Sequence, residues 1–78
     1  MNLYLLSQTV NNNYDTYDSC VVAAESEDAA RRIHPCGRDV VEWWNQTWVD
    51  VKDVKIEYIG TAKEGTERSV ILASFNAG

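Results

Sequence analysis

Residues 14–35, with the sequence YDTYDSCVVAAESEDAARRIHP, place the strongest constraint on the fold of this chain. A polar aromatic segment leads into the run Ser19–Ala24, whose small and β-branched residues favour a buried strand. Ser26 then supplies a helix N-cap, and Pro35 disfavours helical geometry at the preceding residue and ends the element. A helix this short is unstable alone in water, so we expect it to pack on a sheet.

Three further segments have strand patterns. Leu3–Thr9 and Ser69–Phe75 are apolar on both faces, whereas Val51–Ile59 alternates apolar and charged residues and has one face in solvent. The element order ββα(α)ββ predicts a single α+β domain over residues 1–78. Its sheet is four-stranded and mainly antiparallel, with one or two short helices on one face. Apolar residues on both faces of the first and last strands also indicate self-association.

The second, shorter helix is expected after Asp39, which can cap it together with a glutamate three residues later. Val40, Trp44 and Trp48 recur at helical spacing in this part of the chain. The aromatic and β-branched residues are indifferent helix formers, so the pattern alone does not decide between a helix and an irregular segment.

Size and charge favour a binding module over an enzyme. A chain of 78 residues buries a small core, in which a catalytic cleft is hard to accommodate. The net charge is −5, and residues 1–30 hold five acidic and no basic side chains. Such a surface does not neutralise phosphates, so we expect no direct nucleic-acid binding, but it suits a basic protein partner.

Cysteine usage and hydropathy indicate a cytoplasmic protein. Cys20 and Cys36 are too few for a disulfide framework, and the chain begins directly in strand-like sequence instead of a signal peptide. No stretch approaches the roughly 18 apolar residues of a membrane span. We therefore expect reduced thiols and no membrane association.

The segment Asn11–Asp18 is the first candidate contact site. We interpret it as a loop, and loops on a rigid sheet often carry function, with tyrosine giving rigid amphipathic contacts. The alternative is a polar turn whose tyrosines fold back over the sheet edge. The segment lacks the glycine and the further oxygen ligands of a calcium loop, so we expect no metal. The candidate contact residues are Asn12, Tyr14, Asp15, Tyr17 and Asp18.

Three tryptophans, Trp43, Trp44 and Trp48, form the second candidate contact site. Tryptophan is enriched among the residues that anchor protein interfaces, and a small core does not hold three indoles together. The alternative is that Trp44 and Trp48 cover the open face of the sheet. Arg31 and Arg32 are candidates for binding an anionic ligand, or for pairing with the acidic residues of the first half.

His34 and Cys36 flank Pro35 and raise the question of nucleophilic or zinc chemistry. One histidine and two cysteines fall short of the four ligands of a structural zinc site, and sequence proximity does not supply a Cys–His nucleophile. We expect Cys20 to be a small buried apolar residue and His34 to be a helix-end residue favoured by the helix dipole. No catalytic residue and no cofactor is predicted.

The blocks YDTYDSCVVAAESEDAARRIHP and VILASFNAG resemble those of small proteins encoded by bacteriophages and prophages. The resemblance covers the first 35 residues and about the last ten. It implies a setting, a phage gene product in the cytoplasm of a bacterial host, without a settled activity. Small acidic phage proteins often inhibit host defence systems, by blocking a protein complex or by sequestering a nucleotide signal.

These observations lead to two hypotheses of different classes. In the first, the chain is a non-enzymatic phage accessory protein that binds a host bacterial protein as an anti-defence inhibitor, similar in role to an anti-CRISPR protein. In the second, it is a small oligomeric protein that binds a signalling nucleotide between stacked tyrosines and the cluster of Arg31 and Arg32.

Overall fold

The computed structural model describes residues 1–11, 15–37 and 47–76 of the chain. Within these ranges the secondary structure consists, in chain order, of β1 (Asn2–Ser7), β2 (Thr16–Ala24), α1 (Glu27–Arg31), a 3₁₀ helix (Val51–Asp53), β3 (Lys55–Thr61) and β4 (Ser69–Asn76). None of the helices in this part of the chain has the length and hydrophobicity needed to cross a membrane.

The four strands form one sheet with the order β3-β1-β2-β4, and every pairing is antiparallel. The pairing of β1 with β2 runs without interruption from Asn2 opposite Ala24 to Ser7 opposite Ser19. The two central strands are therefore neighbours in sequence, and the two carboxyl-terminal strands flank them as edges. The predicted α+β fold with a mainly antiparallel sheet is confirmed.

The hydrophobic core lies on one face of this sheet, between the central strands and the segments that contain α1 and residues 47–54. Alternate side chains of β1 and β2 point towards it because successive side chains in a strand face opposite sides. The core residues are Tyr4, Leu6, Cys20, Val22, Ala24, Ala30, Ile33, Trp48, Val49 and Val54.

Helix α1 begins as its sequence predicts and ends earlier. The Ser26 hydroxyl accepts a hydrogen bond from the Ala29 N–H at 3.2 Å, which satisfies one of the open donors of the first turn. The prediction that Pro35 ends the helix is wrong, because the last helical residue is Arg31. Ile33 instead turns into the core, where its side chain is buried.

Two predicted boundaries are also wrong. Strand β2 begins at Thr16, so Thr16–Asp18 belong to a strand and not to the predicted loop. The predicted third strand does not begin at Val51, because Val51–Asp53 form a 3₁₀ turn before β3. The Nη1 group of Arg31 donates to the carbonyls of Val51 and Val54, at 3.0 and 2.8 Å, and this long-range contact fixes the turn.

The predicted second helix, over residues 39–48, falls largely outside the described residues. Thr47 and Trp48 are described, and both lie in a bend. Arg31 of α1 bonds the carbonyl of Val54, and the side chain of Trp48 lies in the core. Helix α1 and the residue 47–54 segment thus pack on the same face of the sheet.

Candidate interaction surface

The start of β2 and the end of β4 meet at one end of the sheet. The backbone N–H of Asp15 donates to the carbonyl of Asn76 at 2.6 Å, and Tyr17 pairs with Phe75. The register shifts between Tyr17 and Ser19, which makes Asp18 the extra residue of a β-bulge. Bulges bend a strand and redirect side chains, so this end departs from the regular pleat. We call the set Asp15, Tyr17, Asp18 and Phe75 the acidic–aromatic end.

Two rings of this end pack edge to face. The centroids of Tyr17 and Phe75 are 4.8 Å apart, and the ring planes meet at 62°. The Tyr17 ring also packs edge to face with His34, with ring centroids 5.8 Å apart and an angle of 87° between the ring planes. Edge-to-face pairs of this kind fix the orientation of both rings. Phe75 nevertheless remains 46% exposed and offers an apolar contact surface at the sheet edge.

Asp15 and Asp18 are exposed and lie near these residues along the backbone, because Asp18 follows Tyr17 and the Asp15 N–H bonds Asn76, the neighbour of Phe75. Asp15 has a φ of 61°, in the left-handed region that aspartate tolerates better than most residues. Neither aspartate forms an ion pair with a cation among the described residues; the ion pair recorded there joins Arg68 and Glu25 at the opposite end of β2 and β4. Both carboxylates are therefore available to a positively charged partner.

Buried hydrogen bonds hold this end in place. The Gln8 side chain is buried, donates to the carbonyls of Asn11 and Tyr17 at 2.7 and 3.0 Å, and accepts from the Asn11 N–H at 2.7 Å. The Asn11 side chain donates to the carbonyl of Trp48 at 3.2 Å, and the Tyr17 N–H donates to the carbonyl of Thr47 at 2.8 Å. Because these bonds join three separate segments, the acidic–aromatic end is preorganised.

His34 supports the same region and is held as a neutral imidazole. Its Nδ1 accepts a hydrogen bond from the backbone N–H of Cys36 at 3.0 Å, and Nε2 lies 3.1 Å from the Thr47 hydroxyl. An accepting Nδ1 places the proton on Nε2, which then donates to Thr47. Burial lowers the pKa of His34 below its ordinary value of 6.5. His34 was expected to be a helix-end residue favoured by the helix dipole; it instead lies beyond the last helical residue, Arg31, and is buried.

The contact between His34 and Cys36 does not resemble a catalytic pair. The ring nitrogen bonds the backbone N–H of Cys36, while the Cys36 side chain is exposed. Cys20 is buried, as predicted, and burial raises the pKa of its thiol to about 12. Among the described residues, no group of three His, Cys, Asp or Glu side chains is arranged to hold a metal ion.

The two arginines predicted to bind an anion have different environments. The Arg31 guanidinium donates to two main-chain carbonyls, so its position serves the fold. Arg32 is exposed at the C-cap of α1. Among the described residues, the recorded contacts of the Tyr17 ring are with His34 and Phe75, and none with Arg31 or Arg32 is recorded.

Trp48 is a core residue and not a surface anchor. Its side chain is fully buried, and its indole Nε1 has no hydrogen-bond partner among the described residues. Trp48 is therefore withdrawn from the candidate contact residues. The alternative, that Trp44 and Trp48 cover a face of the sheet, agrees with the burial of Trp48, whereas Trp44 lies outside the described residues. Four further candidates, Asn12, Tyr14, Trp43 and Trp44, lie outside the described residues.

Two residues of this region were missed by the sequence analysis. Phe75 was predicted only as the last residue of the fourth strand, and Gln8 only as one residue of the first strand. The signal for Phe75 is an aromatic residue at the end of an uncharged edge strand, Ser69–Asn76. Gln8 has no comparable signal, because its partners come from distant parts of the chain.

Comparisons with known proteins do not place the chain in a family. No protein-family model matches the sequence, no curated protein matches it, and no solved structure matches its fold.

Proposed function

We propose that this chain is a non-enzymatic binding module that recognises a basic surface of another protein through its acidic–aromatic end. The observation that carries the proposal is that two exposed carboxylates, Asp15 and Asp18, belong to the same end of the sheet as the half-exposed ring of Phe75. This combination supplies an apolar anchor together with charges around it, which is the usual composition of a protein-binding surface.

The two kinds of residue have different roles in such a contact. A preorganised phenylalanine loses little side-chain entropy on binding, because the neighbouring Tyr17 ring already fixes its orientation. Asp15 and Asp18 accelerate association with a positively charged partner and disfavour acidic ones. The net charge of −5 acts in the same direction over longer distances.

The resemblance to phage-encoded proteins makes a host bacterial protein the expected partner. A protein that binds nucleic acid presents a suitable basic surface, and covering that surface would inhibit it. The proposal therefore includes an anti-defence role, in which this chain blocks a basic face of a host complex.

Affinity capture from bacterial lysate tests the proposal with a matched pair of variants. Phe75→Ala removes the exposed ring of the acidic–aromatic end. Tyr58→Ala is the control, because Tyr58 is also an exposed aromatic residue on an edge strand and packs edge to face on another tyrosine, Tyr4. We expect the wild type and Tyr58→Ala to retain the same identified protein and Phe75→Ala to lose it.

Salt provides a second readout in the same experiment. Capture should weaken steeply as ionic strength rises, because the charges of Asp15 and Asp18 are exposed and are screened within about 10 Å at 0.1 M salt. Retention of the protein by Phe75→Ala, or capture that is insensitive to salt, would count against this surface.

A further inference from the structure

The face of the sheet opposite the core is apolar. Leu3 and Leu5 of β1 alternate with the core residues Tyr4 and Leu6, so they point to this second face. Leu5 pairs with Val21 of β2, which continues the apolar surface across the central strands. We call this surface the open face.

The edge strands extend the open face. In β4, Val70 and Ala73 pack against the core, and a register shift places Ile71 and Leu72 together between them. Both therefore lie on the open face, where Ile71 is 52% and Leu72 69% exposed. In β3, Ile59 follows the core-side Tyr58 and is 46% exposed. The apolar residues of the open face are Leu3, Leu5, Val21, Ala23, Ile59, Ile71 and Leu72, of which Ala23 is fully buried.

No helix of the described ranges packs on this face, since α1 and the residue 47–54 segment contribute to the core on the other side. A contiguous apolar surface of several strands is more than scattered exposed residues and marks an interaction site.

We propose that the open face binds a second copy of this chain, so that two sheets pack face to face in a symmetric dimer. The first argument is charge. At the regularly paired positions of the open face, the charged residues are Lys55 and Glu57, one of each sign, opposite Ser7 and Leu5. The regularly paired positions of this face are therefore neutral in sum although each copy carries a net charge of −5, and Asp18, the bulged residue of β2, lies at one end of the face.

The second argument is area. Four strands about 4.8 Å apart and about 20 Å long give roughly 400 Å² of projected face in each copy. The accessible surface of a face is larger than its projected area because the side chains protrude, so two such faces bury about 1,000 Å² in total. This area is at the lower limit for a specific interface. The geometry of two stacked sheets, about 10 Å apart, is common in proteins. We expect a dimer that dissociates in the micromolar range.

Sedimentation velocity of the full-length chain tests this proposal without any partner protein. The wild type is measured from about 1 μM to about 500 μM, a range that includes the dissociation constants of weak interfaces. It should change from monomer to dimer as the concentration rises. Leu72→Lys places a charge at the most exposed position of the open face, and twofold symmetry places it there twice. This variant should remain monomeric at every concentration.

Val51→Lys is the matched control, because Val51 is an exposed apolar residue in the 3₁₀ helix, away from the open face. It adds the same charge and should dimerise as the wild type does. Circular dichroism and urea midpoints establish that both variants are folded. A wild type that is monomeric at all concentrations would overturn the proposal, and so would a Leu72→Lys variant that dimerises normally, since the contact would then use another surface.

Discussion

The Nδ1 atom of His34 accepts a hydrogen bond from the backbone N–H of Cys36 at 3.0 Å. A protonated imidazole cannot accept at Nδ1, so the folded chain requires the neutral ring. Burial of the ring acts in the same direction and lowers the pKa of His34 below 6.5. The neutral form is thus specified both by a named donor and by the surrounding core.

This arrangement predicts a pH-dependent stability. The unfolded chain binds the His34 proton at a higher pH than the folded chain does. The free energy of unfolding therefore has its maximum contribution from this group above about pH 6.5, and it declines as the pH falls from there towards the lowered pKa of the folded chain. One proton gives a slope of at most about 1.4 kcal/mol per pH unit. Urea unfolding at a series of pH values should show this decline in the wild type and its absence in His34→Gln. An equal slope in both proteins would contradict the assignment.

Arg31 should contribute far more to stability than its neighbour Arg32. Arg31→Met removes the donor of two hydrogen bonds to the carbonyls of Val51 and Val54, and charged donors of this kind are worth about 1.5–3 kcal/mol. Arg32→Met changes an exposed side chain and should alter stability by no more than about 0.5 kcal/mol. Urea unfolding of both variants measures the difference, and equal effects would show that the 3₁₀ turn does not depend on Arg31.

Trp48 should behave as a core residue. Trp48→Ala leaves a large cavity and should cost about 3–5 kcal/mol of stability. Trp48→Phe should cost less than half as much, because it retains most of the volume and removes an indole N–H that has no hydrogen-bond partner among the described residues. The two unfolding free energies decide this, and a Phe variant as unstable as the Ala variant would indicate that the indole nitrogen is engaged.

The two cysteines should differ in reactivity. Burial raises the pKa of Cys20 to about 12, whereas the Cys36 side chain is exposed. The thiolate is the reactive form, so a disulfide reagent at neutral pH should titrate one thiol in the folded chain and both in urea. Cys36→Ser should abolish the fast reaction in the folded chain. Rapid modification of two thiols without denaturant would contradict the burial of Cys20.

Local signals in the sequence account for most of the fold. Ser26 caps α1 as its position predicts, and the strand patterns locate all four strands to within a few residues. The errors arise where a distant residue decides the local structure. Arg31 binds the carbonyls of Val51 and Val54 around the 3₁₀ turn, and β2 begins at Thr16 where Thr16 and Tyr17 pair with Asn76 and Phe75 of β4. The secondary-structure propensities of a short stretch of sequence carry no information about either long-range contact.

The candidate site was predicted less completely than the fold. Asp15 and Asp18 are exposed at the sheet end, but the partner of Tyr17 proved to be Phe75, about 60 residues away in sequence. Trp48 was a candidate contact residue because tryptophan is enriched at interfaces, with burial against the sheet as the alternative, and its side chain lies in the core. Strand order is the missing information in both cases, because it determines which distant residues become neighbours.

The central claim is that the acidic–aromatic end binds a basic protein surface, and titration calorimetry with the purified captured protein tests it most directly. The variant is Asp15→Asn with Asp18→Asn, in which asparagine tolerates the positive φ of residue 15. The control is Glu64→Gln with Glu67→Gln, which removes two exposed negative charges elsewhere. We expect the aspartate variant to bind at least about tenfold more weakly, and the control to bind as the wild type does. Equal affinities for the two double variants would contradict the account.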